Sequence, residues 1–215
     1  MLGLVQHAYA EQVAAPVEAW ALVPQGLDLQ DAAAIPLVGL TGVQLIEEAV
    51  TPASGQTVLV TGAVGGVGRA AVYAARLRGA RVLAGVRTRQ RSEALSLEAA
   101  GVVAIDDPNE LASLPMLDAI ADTVGGETIA RLLAKVKPAG VIGSVVGEPA
   151  GAKERGLTVR STRAHPDSRR LQELAEAVAR GDLRIPVSHR FQLARAAEAH
   201  KLAERGGVAK VLLLP

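Results

Sequence analysis

The sequence predicts an α/β protein built on a doubly wound parallel sheet, on three observations. Apolar runs short enough for strands alternate with stretches of helical period. Those runs are continuously apolar rather than alternating, as strands covered on both faces are. A glycine-rich turn, TGAVGGVGRA at residues 61–70, joins one such run directly to a helix. The expected strands are Thr57–Thr61, Arg81–Val86, Val102–Ile105, Leu117–Asp122, Val141–Val145 and Leu157–Ser161. Helical patterns fall between and after them at Gly66–Arg78, Arg91–Ala100, Glu127–Val136 and Asp167–Arg180. Strands alternating with helices of this length pair in parallel through right-handed crossovers. A last helix is expected near Leu193–Arg205 and a last strand at Ala209–Leu213.

The first fifty residues break this rhythm. Gln6–Ala15 reads as a strand, and Pro16–Gln30 as loop, with Pro24 and Gly26 in it. Asp31 is placed to cap a short helical turn through Ile35. A longer helix is expected from Gly39 to Val50, stopping before Thr51-Pro52, because a residue ahead of proline avoids the helical region. A strand with no sheet partner in sight suggests the remainder of a separate β domain. The domain expectation is therefore residues 1–30 as remnant and linker, 31–195 as the main α/β domain, and 196–215 as a terminal helix and strand.

Composition narrows the chemistry. The chain has 215 residues, 49% of them hydrophobic but only 2% aromatic, so its core must be made of Ala, Val, Leu and Ile. A formal net charge of +1 speaks against binding nucleic acid or membrane by bulk charge. With no cysteine there is no disulfide, thiol nucleophile or cysteine-held zinc. His7, His165, His189 and His200 share no spacing that suggests a metal site, and no Gly-x-Ser-x-Gly elbow supports a hydrolase. No leader or membrane-length apolar run is visible, so a cytoplasmic protein acting on a small molecule is expected.

The glycine turn carries the functional signal. Gly65 and Gly68 hold the second and third glycine positions of a dinucleotide fingerprint, with Ala63 at the first. The middle glycine lets a diphosphate approach bare backbone; the last lets the helix lie close on the strand. Amides from Gly66 onward then face the anion, aided by the helix dipole. Alone the fingerprint is weak, since a structural turn has the same spelling; a strand before, a helix after and a second strand within about thirty residues give it weight. An acidic residue ending that second strand would bind the ribose 2′-hydroxyl of NAD. Here the strand ends at Val86 and is followed by Arg87, Arg89 and Arg91. The missing carboxylate, more than the arginines, favours NADP(H). Arginine can take a 2′-phosphate bidentately, though a solvated basic loop has the same composition.

Several segments together resemble a known family. GLTGVQLIEEA (39–49), TVLVTGAVGGVGRAAVYAARLRGARVLAGV (57–86), DAIADTVGG (118–126) and AEAHKLAERGGVAKVLLLP (197–215) are similar to the zinc-independent medium-chain dehydrogenase/reductases, in the quinone oxidoreductase, zeta-crystallin-like branch. That resemblance covers essentially the whole chain. It implies a Rossmann-type cofactor domain carrying a short remnant of a GroES-like β domain, most of which is absent. HAYAEQV (7–13) is similar to a late strand of that domain, with His7 in place of a glycine.

The resemblance also implies site residues. Thr41 matches the threonine reaching the nicotinamide side of the cofactor. Gly65, Gly66, Val67 and Gly68 match the diphosphate loop, and Arg87 lies one residue past the position that is acidic in NAD-dependent relatives. Thr123, Val124 and Gly125 match the loop after the fourth strand, and Val145 with Val146 the loop after the fifth. Leu37 stands where zinc-dependent relatives carry a cysteine ligand, so no metal is expected; Ala209 replaces a family glycine. The implied activity is hydride transfer from NADPH to a quinone or an activated carbon–carbon double bond. No proton donor or other catalytic residue is nominated; Tyr9 reads as structural. The alternative is a non-catalytic NADP(H)-binding module, since half of a substrate cleft would be missing. Enoyl reductases of polyketide and fatty-acid synthases share the fingerprint, but nothing in the chain points to flanking modules. A homodimer is expected, formed through an uncovered strand edge at Lys210–Leu213.

Overall fold

The computed structural model describes residues 1–215 and divides the chain into two compact units, Met1–Leu40 with His165–Pro215, and Thr41–Ala164. The first unit opens with β1 (Leu2–Gly3), antiparallel to β2 (Trp20–Ala21). Between them, the strand expected at Gln6–Ala15 does not form. His7 sits in the left-handed region at φ 56°, and the segment is exposed coil and bend with no neighbouring strand to pair. Helix α1 (Leu29–Ala33) is capped by Asp28, whose Oδ1 accepts from the amides of Gln30 at 2.9 Å and Asp31 at 3.1 Å. The cap expected at Asp31 is therefore one helical turn too late. Asp28 is the residue with extended backbone angles, and Asp31 lies inside the helix, paired with Arg190 at 2.6 Å.

Helix α2 (Ile35–Gln44) starts earlier than Gly39 because Pro36 is tolerated in a first turn, where its missing N–H costs nothing. It continues into a π-helical turn at Leu45–Val50, closed by Thr51 in the left-handed region. The second unit then follows the expected rhythm: β3 (Thr57–Thr61), α3 (Gly66–Leu77) and β4 (Arg81–Val86). The helix expected over Arg91–Ala100 shortens to α4 (Arg91–Ala94) and a 3-10 turn, because Glu98 at φ 51° ends it. After β5 (Gly101–Ala104) comes an unexpected short helix, α5 (Pro108–Ser113), signalled by the Asp107 cap and Pro108 in its first turn. β6 (Leu117–Asp122), α6 (Gly126–Leu132), β7 (Val136–Ser144) and β8 (Thr158–Ser161) complete the unit. β7 begins five residues before the expected Val141, across a register shift that hides its start.

These strands form one parallel sheet in the order β5-β4-β3-β6-β7-β8, the doubly wound order that reverses direction between β3 and β6. Leu59, Leu117, Ile120, Ile129, Leu132 and Ile142 are among the aliphatic side chains of its core, which has no aromatic ring. The helix-side fit is close. A Cβ on Gly42 of α2 would stand 2.4 Å from the Val67 carbonyl oxygen and 2.6 Å from Ala70 Cβ on α3. In the first unit, α7 (Ser168–Arg180) is capped by Asp167 and buries Leu171, Leu174 and Ala175. A strand not anticipated from sequence, β9 (Val187–Gln192), lies parallel to β10 (Lys210–Leu214), with α8 (Ala196–Glu204) between them in sequence. The C-terminal strand thus belongs to a two-stranded sheet, and the open edges of the six-stranded sheet are β5 and β8.

Candidate cofactor site

The loops after β3 and β6 leave the carboxyl ends of neighbouring strands at the reversal point, where open α/β sheets place their ligand crevice. In the first loop the tight turn is made by Gly62 rather than by Ala63. Gly62 has φ 62°, and a Cβ there would stand 2.7 Å from Thr123 Oγ1 and 2.9 Å from Val124 Cγ2. Gly68 is required by contact, since a Cβ would reach 2.2 Å from the Gly62 carbonyl oxygen. Gly65 differs from both. It has φ −70° and ψ 162°, angles open to any residue, and a Cβ would meet only the Gly62 carbonyl oxygen, at 3.2 Å. A side chain there would ask that carbonyl to give by a few tenths of an ångström, far less than at Gly68. Gly65 is exposed and caps α3 without a side chain, leaving the first-turn amides of Gly66, Val67 and Gly68 open to an anion.

The second loop is tied to the first by a buried carboxylate. Strand register sets Asp122 beside Ser144 and one step past the Val60–Ala121 pair, next to Thr61. All three side chains are fully buried. Asp122 Oδ1 accepts from Thr61 Oγ1 at 2.9 Å and from the amides of Val124 at 3.2 Å and Gly125 at 3.0 Å; Oδ2 accepts from Ser144 Oγ at 3.3 Å. Thr61 Oγ1 in turn accepts from the Thr123 amide at 2.9 Å, and the Thr123 hydroxyl donates to the Thr61 carbonyl at 2.7 Å. Ser144 Oγ accepts from the Val146 amide at 3.2 Å, and the Val145 amide donates to the Asp122 carbonyl at 3.2 Å. One carboxylate so fixes the loops after β3, β6 and β7.

The third loop follows β4. Arg87, Thr88 and Arg89 are exposed, and Thr88 donates through its amide at 2.8 Å and its hydroxyl at 2.9 Å to Asp106 Oδ1 beyond β5. These bonds, the amide's foremost, hold the Asp106 carboxyl below its ordinary pKa. Arg91 is paired with Glu110 of α5, whose other oxygen accepts from the Ala104 amide at 2.7 Å. Behind the loop, buried Arg69 donates to the Val64 carbonyl at 2.9 Å and to Glu93 of α4 at 2.6 Å, linking the glycine turn to the helix that carries Arg91.

Comparison with known proteins gives the family. The family described as zinc-binding dehydrogenase matches residues 97–211. A quinone oxidoreductase from Pseudomonas aeruginosa is 30% identical, with 97% of this chain and 71% of that protein covered. The chain belongs to the medium-chain dehydrogenase/reductases of quinone-oxidoreductase type. A 2-haloacrylate reductase from a Burkholderia species is 28% identical over 97% of this chain and 71% of its own length. The solved quinone oxidoreductase of Coxiella burnetii superposes with a TM-score of 0.83 at 27% identity, covering 94% of this chain and 66% of the other. The chain thus spans about two-thirds to seven-tenths of the length of these three relatives.

Within this dehydrogenase/reductase the structure brings most of the sequence-nominated residues together. A Cβ on Gly62 would meet Thr123 and Val124, and one on Gly125 would meet Val146 at 3.0 Å. Val124 and Val146 are 44% and 52% exposed, apolar side chains left on the rim of the crevice. Thr41 is buried on α2, one residue before the close approach of Gly42 to Val67. Arg87 stands apart, at the end of β4. Sequence reasoning missed Gly62, Arg69 and Asp122. Gly62 was legible as a glycine at the strand end, and Asp122 as an acid closing an apolar strand. No group of three or more His, Asp or Glu side chains has the arrangement of a metal site, and no helix is long and apolar enough to cross a membrane.

Proposed function

We propose that the chain is the cofactor-holding part of an NADP(H)-dependent oxidoreductase acting on a quinone or an activated carbon–carbon double bond. The observation that carries this reading is Gly65: a bare, exposed helix cap with ordinary backbone angles, beneath three first-turn amides with no side-chain cap at the sheet's reversal point. Gly65, Gly66, Val67 and Gly68 hold the diphosphate. Thr123, Val124, Gly125, Val145 and Val146 line the nicotinamide-ribose side, with Thr41 toward the ring. When bound, the cofactor supplies the hydride, and the protein supplies position and exclusion of water. Preference for NADP(H) is supported by Val86 at the strand end, where a carboxylate would repel a 2′-phosphate, and by exposed Arg87 and Arg89. The acceptor class is supported by the names of the two curated relatives.

Titration with NADPH and NADH tests the cofactor assignment: tighter NADPH is expected, and equal or tighter NADH would defeat it. Oxidation of NADPH with small quinones and enones tests the activity. Turnover supports the enzyme; binding without turnover assigns the chain to cofactor holding alone. We place the protein in the cytoplasm as a homodimer joined along the free edge of β10, which light scattering showing only monomer would contradict.

A further inference from the structure

Two ion pairs and one hydrogen-bonded threonine surround the loop where the adenosine ribose would lie, and they leave its cations unequally available. Thr88 is held by Asp106, and Arg69 by Glu93 and the Val64 carbonyl. Arg91 is held by Glu110, with Asp107 also facing it. Arg87 and Arg89 are exposed on the loop itself.

Glu110 is not a loose surface partner. The Asp107 cap and Pro108 start α5 so that Glu110 falls in its first turn and folds back on the end of β5. There one oxygen accepts from the Ala104 amide at 2.7 Å and the other takes Arg91. Its side chain is 31% exposed, against 45% for Arg91. A backbone-anchored carboxylate is a fixed competitor, because it keeps its geometry whether or not a ligand is present.

We propose that Glu110 is a specificity-determining residue: it withholds Arg91 from the 2′-phosphate and so limits the margin of NADP(H) over NAD(H). This rests on the NADP(H) reading above. NAD(H), lacking the phosphate, does not engage Arg91 and is indifferent to Glu110. The Arg91–Glu110 bond is also the main cause holding the Glu110 carboxyl below its ordinary pKa, so the competitor stays charged across the neutral range.

The test is fluorescence titration of the 215-residue chain with NADPH and with NADH. Glu110→Gln keeps an oxygen for the Ala104 amide and removes the charge. It should tighten NADPH by about two- to fivefold, the scale of one exposed ion pair, and leave NADH unchanged. Adding Arg91→Gln to that variant should cancel the gain, whereas Arg91→Gln alone should change NADPH affinity little. The proposal is overturned if Glu110→Gln leaves the NADPH-to-NADH ratio where it was. It is equally overturned if Glu198→Gln, which removes a charge paired with Arg195, shifts that ratio as much. Arg91→Gln alone weakening NADPH about tenfold also overturns it, and needs no Glu110 variant to fold. A wild-type chain that binds neither dinucleotide removes the parent reading and this one together, an outcome distinct from wild-type binding with an unmoved ratio.

Discussion

At the scale of single residues, the glycine turn separates what the fold needs from what a ligand needs. Gly68 is needed by the fold: with a Cβ 2.2 Å from the Gly62 carbonyl, Gly68→Ala must push α3 off its loop. We expect it to cost about 2 kcal/mol in urea unfolding, the scale of overpacking in a closed interior. Gly65→Ala asks the same carbonyl to give by only a few tenths of an ångström and should cost much less stability than Gly68→Ala, while weakening NADPH by roughly tenfold or more in a fluorescence titration. If both variants lost stability equally, the distinction would fail. Asp122 is the third decisive residue. Asp122→Asn keeps the shape but turns one acceptor into a donor facing Ser144 or the Thr61 cluster. We expect a loss of about 3 kcal/mol in unfolding free energy, the scale of buried donors left facing the wrong partner of a charged acceptor.

At the scale of elements, β6 is the strand that organises the sheet. Its two aspartates, four positions apart, share one face and latch both neighbours. Asp122 does so at the carboxyl end. At the other end Asp118 accepts from the Thr57 amide of β3 at 2.8 Å and from Lys137 of β7 at 2.6 Å. Lys137, chiefly through that bond, and then the Thr57 amide hold the Asp118 carboxyl below its ordinary pKa. A carboxyl depressed in the folded state stabilises above its unfolded value, and that stability is lost as pH falls through the folded one. Unfolding free energy should therefore decline as pH drops below about 4, and Asp118→Asn should flatten that decline. An unchanged slope would show that the latch contributes nothing.

The same elements show what a sequence can and cannot reveal. β3, β4 and β6 were legible to the residue because buried parallel strands are near-continuous apolar runs. The glycine turn was legible because Gly62 and Gly68 stand where the fold leaves no room for a side chain. Asp122 was not, because its meaning lies in the register that sets it between Thr61 and Ser144, and register is not written in one strand. α5 was hidden by its brevity, and β9 by side chains such as Ser188, His189 and Arg190 that read as loop. Gln6–Ala15 failed in the opposite sense: a strand-like pattern forms no strand without a neighbour to bond.

At the scale of the whole molecule, an aliphatic core with almost no aromatic rings must hold a crevice whose walls are loops. Those loops are bonded to each other, so their arrangement does not wait on a ligand. A ligand that binds only the folded chain should stabilise it: NADP(H) at about a hundred times its Kd should add about 2.7 kcal/mol. A thermal melt would then rise with the dinucleotide for the wild-type chain and by about half as much or less for Gly65→Ala. The most direct test of the central claim is a proton–nitrogen NMR spectrum of the labelled protein with and without NADP+. Dinucleotide held on bare backbone at the sheet's reversal point predicts large shifts for the amides of Gly65, Gly66, Val67 and Gly68. Unmoved resonances for these four at saturating NADP+ would contradict the account.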